Sequence, residues 1–112
     1  MPVWKSAFNL LLKIYQITQN FPNEEKFGLT SDIRRSANSI VHNIAEGFGR
    51  FENKDKTRFY IISRGSAYEL VSQVLVASEL SYLNNETLKD EVIEKAKSII
   101  GELGAMIKSI ES

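Results

Sequence analysis

The chain has 112 residues, 43% hydrophobic and 25% charged, which is one domain's length and too apolar for intrinsic disorder. It has no cysteine, so disulfides, thiolate catalysis and sulfur-ligated metals are excluded. The 14 basic and 14 acidic residues cancel overall, but from Ile33 to Ser66 seven Arg/Lys meet three acids, a local +4 that the remainder balances with −4.

The first helix is predicted from about Val3 to Asn20, with Trp4, Ala7, Phe8, Leu11, Leu12, Ile14, Tyr15 and Ile17 on a broad apolar stripe. Pro22 ends it, because a residue before proline is pushed out of helical geometry. Glu24 to Gly28 reads as a connector, with Phe27 and Leu29 tucked against the bundle. Thr30 is the expected N-cap of a second helix, and Asp32 in its first turn suits the helix dipole. Its apolar row is Ile33, Ala37, Ile40, Val41, Ile44 and Phe48, and Gly47 and Gly49 bring it to an end.

Asn53 is the expected cap of a third helix reaching about Leu83, with Phe59, Ile62, Leu70, Val74, Ala77 and Leu80 facing the core. Gly65-Ser66-Ala67 in its middle is a small-residue patch of the kind that lets another helix approach closely. Asn84-Asn85 breaks the pattern. A fourth helix then runs from about Glu86 to Ile110, striped by Leu88, Val92, Ile93, Ala96, Ile99, Ile100, Leu103, Met106, Ile107 and Ile110. No strand pattern or repeat occurs. Four long helices with short connections imply an all-α, antiparallel up-and-down four-helix bundle, one domain over residues 1–112.

The catalytic inventory is sparse. His42 is the one histidine, and the residue three positions before it is Ser39, so the Glu-x-x-His pair of di-metal bundles is absent. No phosphate-binding glycine loop, zinc-protease helix or nucleophile elbow occurs. A non-enzymatic protein without catalytic residues, metal or cofactor is expected. With no secretory pattern at Met1-Pro2-Val3-Trp4-Lys5 and no membrane-length apolar run, the expected location is the cytoplasm, with no membrane partner.

The polar residues of the second and third helices carry more information. In a hairpin centred near residue 52, Arg35 lies level with Glu69, Ile40 with Arg64 and Glu46 with Arg58, with Asn43 and Ser66 close to the same seam. Arg35, Asn43, Glu46, Ser66 and Glu69 are therefore expected to form a polar network that sets helix register. Arg50, Lys54, Lys56 and Arg58 cluster at the turn as candidate phosphate contacts, with Arg34 and Arg64 further along the helices. Phe48 and Phe51 flank that cluster. Packing under the loop is expected for both, and stacking on bases is the alternative.

Several motifs resemble the four-helix-bundle family of 23S rRNA-intervening-sequence proteins. They are Phe21-Pro22 followed by Phe27-Gly28-Leu29-Thr30; Ile33-Arg34-Arg35-Ser36-Ala37 with Ser39-Ile40; Asn43-Ile44-Ala45-Glu46-Gly47 with Arg50; and Gly65-Ser66-Ala67 with Glu69-Leu70. The family takes its name from genes inside rRNA intervening sequences, and some members are called ribosomal proteins for that reason. It is similar to the accessory variability protein of diversity-generating retroelements, a barrel-shaped homopentamer that binds nucleic acid and a reverse transcriptase. The resemblance implies a homo-oligomer, a pentamer first, with structured RNA or DNA, a reverse transcriptase or another protein as partner. Tyr60, Ile61, Tyr68, Val71, Val76 and Tyr82 exceed what a four-helix core needs and are the expected subunit interface.

Overall fold

A computed structural model describes all 112 residues. Four helices, α1 (Pro2–Thr18), α2 (Leu29–Gly49), α3 (Asn53–Glu79) and α4 (Glu86–Glu111), form a bundle of 44 × 25 × 19 Å. A single 3₁₀ turn, Asn23–Glu25, lies in the first connection. Each helix packs on its chain neighbours, α1 also packs on α4, and the pairs α1/α3 and α2/α4 are diagonal. Contacts that climb one helix descend its neighbour: Tyr15–Asn38 then Thr18–Arg34 between α1 and α2, and Ser39–Ser66 then Ile40–Ser63 between α2 and α3, while Lys13 late in α1 meets Glu91 early in α4. The order is therefore up-down-up-down.

The core follows spacings of three and four residues. Val3, Ala7, Leu10, Ile14 and Ile17 supply it from α1; Ile33, Ala37, Ile40 and Ile44 from α2; Leu70, Val74 and Ala77 from α3; and Val92, Ala96, Ile99, Leu103 and Ile107 from α4. That spacing keeps one seam turned inward along each helix. The inward face of α1 is rotated from the expected stripe: Leu10 is fully buried, whereas Phe8, Leu12 and Tyr15 are exposed. On α3 the expected core residues Ile62 and Leu80 are also exposed. Both helices carry more apolar residues than one face can hold.

The helix ends correct several expectations. Thr30 is buried inside α2, and the N-cap position belongs to Gly28. The free Leu29 N–H is instead satisfied from the connector, donating to Glu25 Oε1 at 3.0 Å. Asn53 is the first helical residue of α3 and provides no side-chain cap. Asn85 does cap α4, accepting from Leu88 N–H at 3.0 Å.

Helix α3 stops at Glu79 through paired closing bonds, Ser81 N–H to Ser78 C=O at 3.0 Å and Tyr82 N–H to Ala77 C=O at 2.9 Å. This is the Schellman arrangement, and it places Ser81 in the left-handed region at φ 64°. The close helix approach lies at Gly47 rather than Gly65. A Cβ on Gly47 would stand 2.7 Å from the Tyr60 ring, whereas one on Gly65 would meet nothing within 4 Å.

Candidate nucleic-acid interface

The short turn between α2 and α3 joins two helix ends, and its basic residues meet different fates. The Lys56 ammonium donates to the Phe48 carbonyl at 2.9 Å and the Gly47 carbonyl at 3.3 Å. It thereby satisfies the open Phe48 carbonyl, shares the Gly47 carbonyl with the Arg50 N–H, and complements the negative end of that helix. Arg50 donates to Glu46 at 2.7 Å, and its guanidinium lies 4.7 Å from the centre of the Phe59 ring. Arg58 lies 4.9 Å from the same ring, on the cation-attracting π face. Arg58 and Lys54 make no hydrogen bond or ion pair within the chain.

The aromatic residues here reverse the sequence expectation. Phe51 is 96% exposed and Phe48 62% exposed, so neither packs under the loop. Lys56 sits 5.8 Å from the Phe48 ring centre. The turn region thus carries one almost wholly exposed ring, Phe51, and one partly exposed ring, Phe48, in the same stretch of chain as Arg50, Lys54 and Arg58. Exposed aromatic rings and cations in one turn suit bases and phosphates together. Phe27, expected to tuck against the bundle, is 89% exposed in the connector at the other end, while Leu29 packs on the core.

The two outlying arginines do not join this cluster. Arg34 donates through Nε to Thr18 Oγ1 at 2.8 Å and lies 4.6 Å from the Tyr15 ring, so it ties α2 to α1. Arg64 is half-buried on α3 beside Gly104 of α4. Of the six cations read from sequence as candidate phosphate contacts, Arg50, Lys54 and Arg58 share the turn without being drawn onto backbone carbonyls.

The predicted α2–α3 register agrees with Ser63 Oγ donating to the Ile40 carbonyl at 2.8 Å and with the 2.7 Å Ser39–Ser66 hydroxyl contact. Asn43 belongs to this seam, donating to the Ser39 carbonyl at 2.8 Å and Ser39 Oγ at 3.0 Å. The charged members do not cross it. Arg35 pairs with Asp32 at 3.1 Å on its own helix, and Glu46 pairs with Arg50. Pairs three or four residues apart meet without helix-crossing reach, and at an exposed site that local geometry wins. Glu69 has no ion-pair partner.

Of the expected interface residues, Ile61, Tyr68 and Val76 are exposed on the outer face of α3. Tyr60 is 3% exposed within the core, and burial pushes its phenol above the ordinary value. Val71 is half-buried against the core. Tyr82 turns inward to the connector: its hydroxyl donates to Glu25 Oε2 at 2.9 Å, and its ring packs 5.7 Å from Phe21. Sequence reading missed Leu75, which continues the Ile61–Tyr68 stripe at a spacing of seven and is also exposed.

No group of acidic residues and histidine is placed to hold a metal ion, and no helix is long and apolar enough to cross a membrane. No curated protein matches the chain. A crystal structure of a protein of unknown function from the S23 ribosomal protein family, from Bacteroides thetaiotaomicron VPI-5482, shares the fold with a TM-score of 0.87. The two are 19% identical, over 95% of this chain and 98% of that one. The family model for the 23S rRNA-intervening sequence protein matches residues 1–109, and by that near-complete match the chain belongs to this family.

Proposed function

We propose that this protein is a non-enzymatic, homo-oligomeric adaptor that binds structured RNA or other nucleic acid through the α2–α3 turn. The observation that carries the reading is the exposure of Phe51, and in part of Phe48, in the same stretch of chain that carries Arg50, Lys54 and Arg58. A soluble bundle gains nothing for its own core from a ring that stands almost wholly in water. Stacking of one base on such a ring contributes about 1–3 kcal/mol, and each phosphate contact adds salt dependence.

Fluorescence anisotropy with a labelled structured RNA, over a series of salt concentrations, tests this. Phe51→Ala should weaken binding by about 1–3 kcal/mol at every salt concentration. A Lys54→Glu/Arg58→Glu pair should weaken it and flatten the salt slope by about two contacts. Lys56 is left intact because it closes the end of α2. Wild-type affinity in both variants would overturn the assignment of this surface.

The oligomer rests on separate support. The outer face of α3 exposes Ile61, Tyr68, Leu75 and Val76, and α1 exposes Phe8, Leu12 and Tyr15 on the diagonally opposite side. Two different apolar faces on opposite sides suit a head-to-tail contact repeated around a ring, with a pentamer as first choice. The same faces favour a second reading, a protein-interaction scaffold that touches no nucleic acid. Absence of any mobility shift with RNA or DNA at micromolar protein would select the scaffold.

A further inference from the structure

Where Met1 and Trp4 at the head of α1 meet Ala45 and Phe48 near the end of α2, these four residues line a cleft of about 250 Å³. No polar side chain takes part in the lining. Trp4 is half-buried and held in orientation, its indole stacked on the Phe8 ring with centroids 5.2 Å apart and planes 10° from parallel. Ala45, with only a methyl group, is the small member of the lining. The cleft is shallow, since Met1, Ala45 and Phe48 are all exposed.

Its electrostatics set it apart. The clefts at Asp32 and Glu69, at Glu111 and at Asp55 each hold a carboxylate, and this one holds none. The Lys56 ammonium lies 5.8 Å from the centre of the Phe48 ring. Two of its N–H groups go to the Phe48 and Gly47 carbonyls, which leaves the third N–H, and Lys56 makes no ion pair. A cationic guest would therefore be repelled from the Phe48 side. A branched aliphatic side chain would use neither the flat aromatic walls nor the charge. A planar aromatic group joined to an anion uses both, and the shallow mouth leaves its polar edge in water, so the lining needs no polar partner for it.

We propose that this cleft takes one unpaired nucleobase of a bound strand, with the adjoining phosphate drawn to Lys56. The inference rests on the reading of the α2–α3 turn as a nucleic-acid surface and narrows it to targets with unpaired bases. A base inside a duplex is stacked on both faces by its neighbours and has none to offer Trp4 or Phe48. With no polar side chain in the lining, the cleft accepts a base for its faces and not for its hydrogen-bonding edge.

Trp4 is the chain's one tryptophan, so its fluorescence reports on the cleft. The test titrates the intact protein with an RNA hairpin carrying an adenine loop, with a blunt duplex of the same stem, and with ribose 5-phosphate. Absorption is corrected against N-acetyltryptophanamide, and binding of the labelled RNAs is followed in parallel by anisotropy. The hairpin should quench Trp4 saturably, and the duplex and the sugar phosphate should not. Ala45→Leu fills the cleft from an exposed helix position, so it should melt like the wild type. It should also remove the quench and weaken the hairpin about tenfold relative to the duplex, and Phe48→Ala should weaken the hairpin by a similar factor. Full binding of the hairpin by anisotropy with unchanged Trp4 emission would overturn the inference while leaving the turn as the binding surface. Quenching that Ala45→Leu does not reduce would overturn it as well. So would a Trp4 that acrylamide reaches at low but not at high protein concentration without RNA, because a second copy then covers the cleft. Failure of every RNA to bind in either assay removes both the cleft and the turn.

Discussion

Gly47 and Gly65 are both helical glycines, and their surroundings give them opposite roles. At Gly47 the Tyr60 ring occupies the space a methyl group would need, and Phe59 Cβ lies 3.2 Å from it on the same side. Gly47→Ala is expected to destabilise by about 1–2 kcal/mol, the overpacking cost less the helix-propensity gain. At Gly65 nothing stands in the way, so Gly65→Ala should stabilise by about 0.5–1 kcal/mol. Thermal and denaturant melts of the two variants check the signs. Nothing in the sequence separates these glycines, because the difference is made by a ring on another helix.

The elements add interactions that no single residue reveals, and the first connector is the clearest. Glu25 accepts from the Leu29 N–H at the head of α2 and from the Tyr82 hydroxyl beyond the end of α3, so one carboxylate ties two helices to the connector. The Leu29 N–H, then the Tyr82 hydroxyl, hold the Glu25 carboxyl below its ordinary value of 4.5. A depressed carboxyl contributes stability above its unfolded pKa and loses it as pH falls through the folded value. The melting-temperature gap between wild type and Glu25→Gln should therefore be full near neutral pH and close on acidification below about pH 4. A gap that stays constant down to low pH would rule out the ionised clip.

At this scale the fold was largely legible. The four helices, their connections and the α2–α3 register follow from apolar spacing, Pro22, Asn84-Asn85 and the hairpin geometry. The inward faces of α1 and α3 were less so, because hydrophobicity alone does not rank Leu10 above Leu12 or Leu70 above Ile62. The candidate site was half legible. Arg50, Lys54 and Arg58 lie at the turn, but Lys56 is drawn to the carbonyls of α2, and Arg35 and Glu46 pair with residues three and four positions away. Nothing local to Phe51 or Phe27 announces that it stays uncovered.

For the whole molecule, the two apolar faces on diagonal helices α1 and α3 support a contact in which one protomer's α1 face meets the next protomer's α3 face. Leu12→Glu and Tyr68→Glu each damage one face and should each yield a mass near 12.7 kDa by light scattering. Mixed together, they retain one undamaged face of each kind and should pair as a dimer that grows no further. A self-complementary interface on one face would instead leave one of the two single variants at the wild-type mass. The diagonal placement also governs how assembly would depend on concentration. Every subunit of an open row except the two at its ends already has both neighbours, and the step that closes the circle adds a contact without recruiting another molecule from solution. Partly built rows are then the least stable species. Dilution should convert complete rings to single bundles over a narrow concentration range, with few intermediates between them.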